Sequence, residues 1–526
     1  MTINKLFEYA VKPETVDYAT YTHIPMSMMT SEVGGLYGSA VLQELNQLIK
    51  MYGVYEHGVG FTSDTLSDGF VSSDLRFKKV AQLIDKVARH MFAVKPDTII
   101  TIPYDRKNKS LKDLAHKQQS ILQDFVTNVL KENRVKNALL AACKDALIAR
   151  RVAWVLNFSP VSGRITLRFI PSLGFVYETN EETGELSKIV FFHAMNNETD
   201  SHQQRIFKKK YYMDNGFCFV DEHIYDGVGN VIQRLSEALK TKLNHIPAGV
   251  ILNDGLTGDM LGVSEIERLN NFEGWFNKLS NADIDAERQG MNPVRYLMDV
   301  DTTTSGKLSN APGSLWDLGS DDPDKQQGTA GVLELQFAYS KAIGSTLERI
   351  DQSAHDAMDV PDVSSKALQG VVSSGKTLEA IYWGLGVRCD EKFHVWGDAL
   401  EQIVRDIIEG AKLYPECLKR YTEETLPVGK YEVQITRNSP IPKDDTAEKE
   451  ADMLEVARGI RSKKSYMLKW GDGLTEDDVA EELAQIVREK QDEESSYMPF
   501  VEQATKSKPL NGQTEDDSSE EDDSAQ

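Results

Sequence analysis

Apolar residues recur three and four apart along two long stretches of this chain, and a period of two fills much of a third. In the first stretch Ile266, Leu269, Phe272, Phe276 and Leu279 line one face of a helix that opens at Ser264. Ser264 is positioned to cap the first turn, with Glu267 three residues on to close a capping box. From Ser264 to Glu287 this helix is roughly 36 Å long at about 1.5 Å per residue. The second stretch repeats the stripe in Ile343, Leu347, Ile350, Ala354 and Met358. Between them, Met291 to Leu335 is strand-rich and polar, with a strand expected at Val294–Met298 and an apolar run at Val332–Leu335. Two long helices split by a small insert have little core of their own. Their apolar faces want neighbours, and copies of the same chain are the natural ones, which points to a ring or tube.

Upstream, helices are expected at Ser39–Met51, Val71–Phe92, Ser110–Lys131 and Asn137–Ala149, with a strand at Thr98–Ile102. In the second of these, Leu75, Val80, Leu83, Ile84, Val87 and Met91 share one side. The period then changes to two. Val152–Phe158, Arg164–Ile170, Ile189–Ala194, Lys208–Met213 and Phe217–Tyr225 read as strands, the last two joined by the hairpin signal Asn215–Gly216. His245–Leu252 leads into a glycine-rich loop. Downstream come a Ser/Gly-rich connector, Asp362–Gly375, one very long helix from Lys376 to about Lys412, and a strand at Tyr431–Ile435. Two terminal helices, Asp445–Arg458 and Glu476–Lys490, are joined across Gly471–Gly473, with Thr475 capping toward Asp478. No internal repeat is found.

Composition narrows the class. A chain of 526 residues exceeds one hydrophobic core, so two to four modules are expected. Cys143, Cys218, Cys389 and Cys417 are scattered without disulfide-framework spacing, as reduced cytosolic thiols would be. No signal-peptide core and no apolar run of roughly 18 residues occurs, so a soluble intracellular product without a membrane partner is expected. Residues 491–526 hold eleven acids and two lysines, -9 of the net -23, and this tail is expected to be disordered from about Glu494. The remaining -14 lies over the first 490 residues, so the folded part is acidic too. Such a surface repels nucleic acid at long range; it excludes a tight binder and suits a conduit through which DNA slides.

Candidate chemistry is sparse. Gly370–Thr377 fits the P-loop pattern, in which Lys376 would reach phosphate oxygens and Thr377 would ligate magnesium. A P-loop is fed by a buried strand, and Asp362–Gln369 has no such character. A P-loop ATPase or packaging motor subunit is therefore the alternative reading, and a channel-less capsid or scaffold protein a third. Cys389 and His394 lie five apart on one helix, on different faces, and suit packing better than metal ligation. The acidic clusters Asp321–Asp324 and Asn253–Asp259 lack EF-hand alternation. No catalytic residue, cofactor or metal is expected, and the chain is not read as an enzyme.

In order and spacing, four segments resemble bacteriophage portal proteins, the head-to-tail connectors of siphophages of Gram-positive hosts: Val80–Val94, Ala141–Phe175, Ile246–Ala286 and Ser373–Phe393. The resemblance implies an α+β multi-domain portal fold assembled as a ring, a homododecamer at one capsid vertex. Residues 1–263 would form an N-terminal α+β wing, 264–289 stem helix one, 290–336 a small strand-containing clip and 337–360 stem helix two. The tunnel loop would be 361–375, the long helix and strand returning to the wing 376–442, the helical crown 443–495 and the acidic tail 496–526. Lys366, Gln369, Val371, Val372, Ser373, Ser374 and Lys376 would face double-stranded DNA, held without sequence specificity. Implied partners are further copies of the chain, the terminase large subunit, a head-tail adaptor, and major capsid and scaffold proteins. The implied location is the virion, reached through the host cytoplasm during assembly.

Overall fold

Strand β2, Arg151–Ser159, organises the larger part of the molecule because it is apolar on both faces. Val152, Trp154 and Leu156 enter the main core, while Ala153 and Val155 enter a second, smaller one. A strand covered on both sides reads as a continuous hydrophobic run instead of an alternation. The computed structural model describes residues 22–32, 37–59, 72–104, 109–180, 182–196, 202–256, 259, 261–291, 294–298, 329–333, 340–362, 375–441, 446–471 and 478–491. Two units divide the chain, Met1–Pro442 and Lys443–Gln526.

In the first unit β2 pairs antiparallel with β3 (Arg164–Pro171) and β9 (Ala248–Leu252). The smaller core lies under a five-stranded antiparallel meander: β4 (Phe175–Thr179), β5 (Leu186–Ala194), β6 (Ile206–Asp214), β7 (Phe217–Tyr225) and β8 (Val231–Lys240). Strands β4 and β8 add to those expected. The β6–β7 turn has φ of 49° at Asn215 and 78° at Gly216, the left-handed pair that a two-residue hairpin demands. The main core collects α1 (Met26–Thr30), α2 (Tyr37–His57), α3 (Lys79–Phe92), α4 (Lys109–Glu132) and α5 (Val135–Ala149). Strand β1 (Asp97–Thr101) pairs with β12 (Glu432–Thr436).

The long elements follow. Helix α6 spans Glu265–Met291, and α7 spans Ser340–Ala357. The single helix expected from Lys376 is instead two, α8 (Gly375–Ile381) and α9 (Trp383–Leu413), with α10 (Pro415–Leu418) after them. The break falls at Tyr382, whose backbone sits at φ -91° and ψ 6° while its ring stacks on His90 of α3. The helix expected from Val71 starts eight residues late: 72–78 are non-helical, and Leu75 is 50% exposed.

The second unit contains three helices where two were expected: α11 (Thr446–Ala457), α12 (Lys463–Trp470) and α13 (478–491). Ser462 caps α12 by accepting the Ser465 amide at 3.1 Å. Asp452 of α11 holds α12 by accepting from Lys469 Nζ at 2.8 Å and Trp470 Nε1 at 2.7 Å. The expected Thr475 cap lies outside the described residues.

Asp145 on α5 borders a cavity of about 780 Å³ between α2 and strands β3 and β5, and accepts the Tyr52 hydroxyl at 3.0 Å. Burial pushes its carboxyl from 3.8 to about 6, against the pull of Tyr52. A raised carboxyl stabilises the fold fully below its unfolded pKa and loses that contribution as pH rises through the folded one. Urea denaturation of wild type and Asp145→Asn should therefore differ by about 1–3 kcal/mol more at pH 7.5 than at pH 4, in favour of Asn; a pH-independent difference would refute this.

Candidate assembly site: the stem and its anchors

Helix α6 is fixed at its base by polar side chains. Ser264 Oγ donates to the Ile148 carbonyl at 2.5 Å and accepts the Ile266 amide at 3.1 Å, so the expected cap forms. The capping box does not: Glu267 turns outward to Arg150, 2.5 Å from Nη2. Glu265 is buried with Lys392 Nζ at 2.7 Å and Arg388 Nη2 at 2.9 Å, both from α9. Burial alone would raise its pKa, but these cations hold the carboxyl below the ordinary glutamate range.

Further along, four side chains at successive positions i, i+4, i+8 and i+12 grip the chain at 59 and 73–80. Glu273 accepts the Val59 amide at 3.2 Å and the Val80 amide at 2.9 Å. Asn277 accepts from the Phe77 amide at 3.3 Å and donates to the Val59 carbonyl at 3.0 Å. Asn281 accepts the Leu75 amide at 2.8 Å and donates to the Leu75 carbonyl at 2.9 Å. Asp285 accepts the Ser73 amide at 3.0 Å and its hydroxyl at 2.7 Å. Four helical residues rise about 6 Å, and two extended residues rise about 6.6 Å, so the two ladders stay in step. This grip explains why 72–78 is not helical: its amides at 73, 75 and 77 are already taken.

Glu273 also caps α3 from outside. Lys78 precedes that helix in the left-handed region, φ 50°, and offers no side-chain cap. Only 1% of Glu273 is exposed, and burial raises its pKa although the two amides oppose the shift.

The apolar stripe faces α7, and its cover thins along the helix. Ile266, Leu269, Ala354 and Met358 are buried, and Phe272 packs against the main core. Phe276, Leu279, Ile343, Leu347 and Ile350 are only half-buried, although Phe276 meets Phe77 edge-on at 5.4 Å. Trp275, on a face outside the stripe, is 41% exposed.

Beyond α6, β10 (Val294–Met298) and β11 (Thr329–Leu333) form an antiparallel pair, the second starting three residues before the apolar run at Val332–Leu335. Gly331 faces Tyr296 across the pair, and a Cβ there would run into the tyrosine ring. Asp321–Asp324 lies outside the described residues, as do Lys366, Gln369, Val371, Val372, Ser373 and Ser374; Lys376 is described only as backbone in α8.

Met358–Asp362 forms a turn and then irregular chain, and the residues from there to the P-loop-like sequence lie outside the described ones. Asp254 is paired with Arg268 at 2.7 Å, and Asp259 accepts the Leu261 amide at 2.9 Å. Among the described residues no group of His, Cys, Asp or Glu could hold a metal ion, and no helix is long and apolar enough to cross a membrane. All four cysteines are buried thiols, and His394 is exposed.

An amide stripped of its partner costs about 1–3 kcal/mol. Asn281→Leu should therefore destabilise the fold by that order and accelerate hydrogen exchange in a peptide covering 73–80, with α9 unaffected. Unchanged exchange in that peptide would show that the ladder holds nothing.

Residues 264–496 match the family model described as phage portal protein, SPP1 Gp6-like. No curated protein matches the chain. Among solved structures, a chain from the neck of a native GTA particle, computed with C12 symmetry, aligns with 75% of this chain and 89% of its own at 9% identity and a TM-score of 0.36, too distant to carry weight. The portal resemblance read from the sequence is thus supported by the family match over residues 264–496, from the cap of α6 onward.

Proposed function

We propose that copies of this chain close into a ring at one capsid vertex, through which double-stranded DNA enters during packaging and leaves on ejection. The observation that carries this reading is the gradient along the stem. Its base is bound into its own chain by Glu265 and Glu273, while Phe276, Leu279, Ile343, Leu347 and Ile350 are only half covered. Apolar side chains left half open gain about 25 cal/mol per Å² when a neighbour covers them. A second copy of the same stem supplies that cover, and repetition of one heterologous contact closes a ring.

The strand pair β10–β11 sits at the end of the stem, within the 290–336 clip that would meet the terminase large subunit and later a head-tail adaptor. The 361–375 loop would face DNA, with Lys366, Gln369, Val371, Val372, Ser373, Ser374 and the neighbouring Lys376 along the strand's path. The chain's acidic balance suits this task. Every phosphate contact adds salt-sensitive affinity through counterion release, and a conduit must keep that affinity low. Major capsid and scaffold proteins complete the set of partners, in the virion and, during assembly, in the host cytoplasm. The number of copies expected, twelve, comes from the portal resemblance.

Negative-stain images and native mass should show rings of about a dozen copies with a central hole. Ile343→Asp with Leu347→Asp should abolish the rings while leaving far-UV circular dichroism intact; a wild-type chain that stays a folded monomer at high concentration would overturn the reading. Lys376→Ala should leave rings intact, and neither protein should turn over ATP with magnesium. Robust turnover lost on that substitution would favour the packaging ATPase instead.

A further inference from the structure

The second unit carries a surface that combines cations with exposed aliphatic side chains. From Val456 to Gly471 there is no acidic residue, yet Arg458, Arg461, Lys463, Lys464 and Lys469 fall within it, in a protein of net charge -23. Arg461 and Lys469 are spent on Asp452, at 2.6 and 2.8 Å. Arg458 and Lys463 have no ion pair among the described residues. The same turn is greasy: Ile460 is 73% exposed between α11 and α12, with Met453 at 61% and Leu454 at 55% on α11. None of the residues of α12 is buried. Cations beside exposed aliphatic side chains call for a partner that is both acidic and apolar.

One such partner is built into the chain. After α13, residues 492–526 begin with Asp492, Glu493 and Glu494, continue through Tyr497, Met498, Pro499, Phe500, Val501 and Glu502, and reach seven acids between Glu515 and Asp523. We propose that this tail docks on the α11–α12 turn of its own chain, its aromatic segment over Ile460, Met453 and Leu454 and its acidic end against Arg458, Lys463 and Lys464. Random-coil dimensions for 35 residues are roughly 30 Å root-mean-square, and the described helices of this unit are no longer than about 21 Å. The tether gives the tail a millimolar effective concentration at the turn. Nucleic acid would satisfy the cations but leave the three aliphatic side chains in water, so the tail is the better fit. Docked there, it would shield the cations from DNA phosphates by offering carboxylates in their place.

The contact forms whether or not copies close into a ring, so its failure and the failure of ring assembly are read separately. Zero-length carbodiimide cross-linking of the full chain, followed by mass spectrometry, should join Lys463 or Lys464 to carboxylates of 492–526, and half-molar sodium chloride should abolish the link. Ile460→Asp with Met453→Asp leaves every cation in place and should reduce the yield several-fold. Replacing the seven acids of Glu515–Asp523 by their amides in the full chain should tighten binding of a 30-base-pair duplex at least tenfold in 50 mM salt. Absent cross-links, or cross-links spread evenly over the lysines of the first unit, would overturn the docking. So would a duplex affinity indifferent to the tail's charge, which would make the turn a nucleic-acid contact instead.

Discussion

Glu273 is the constraint from which the first unit's architecture follows. A carboxylate with almost no contact with water must be satisfied by donors, because burying it unpaired costs several kcal/mol. Here the donors are two backbone amides from distant parts of the chain, Val59 after α2 and Val80 at the start of α3. One side chain of α6 therefore fixes where α2 ends and where α3 begins. Asn277, Asn281 and Asp285 extend the same bargain along the helix, each meeting backbone that would otherwise lack a partner.

That commitment orients the stem. With its polar face spent on 59 and 73–80, α6 has its apolar stripe left to pair with α7. The polar anchors and the buried apolar residues sit together near the base, where Glu265 meets Arg388 and Lys392 and where Ile266 and Leu269 are covered. Breaking one partner of such a buried ion pair leaves an uncompensated charge, so the joint between α6 and α9 resists sliding. Toward the other end the stripe is only half covered. Helix α6 is thus stiffly attached at one end and carries open apolar surface at the other, the combination on which the proposed assembly rests.

Much of this was legible in the sequence because it depends on period. The two long helices and the Asn215–Gly216 hairpin declare themselves through spacing and composition alone, whereas β2, expected to alternate, is covered on both faces. What stayed hidden depends on distant partners. Leu75 and Val80 fit the stripe of the following helix, and nothing local reveals that amides at 73, 75 and 77 are taken by residues two hundred positions away. Glu267 has the right spacing for a capping box, yet Arg150 competes for it and wins. Tyr382 breaks a helix whose sequence has no proline there, through a ring that stacks on His90. Asn277 and Asn281 lie off the apolar stripe; two asparagines four apart, flanked at the same interval by Glu273 and Asp285, were the available signal for a backbone clamp.

Charge is distributed by the same logic of satisfaction. Inside the first unit the strong cations are neutralised in place: Arg151 by Glu44, Arg388 and Lys392 by Glu265. The acidic surplus is consequently a property of the surface and the tail, where it can act at a distance on a polyanion. A surface that repels phosphates on average is compromised most by a local run of cations, since a few phosphate contacts suffice for salt-dependent retention. Arg458 to Lys469 is such a run, and the seven acids between Glu515 and Asp523 carry charge enough to offset it. Under the proposed conduit reading, holding those two segments on a single tether is useful, because a competitor held nearby weakens retention without removing the cations themselves.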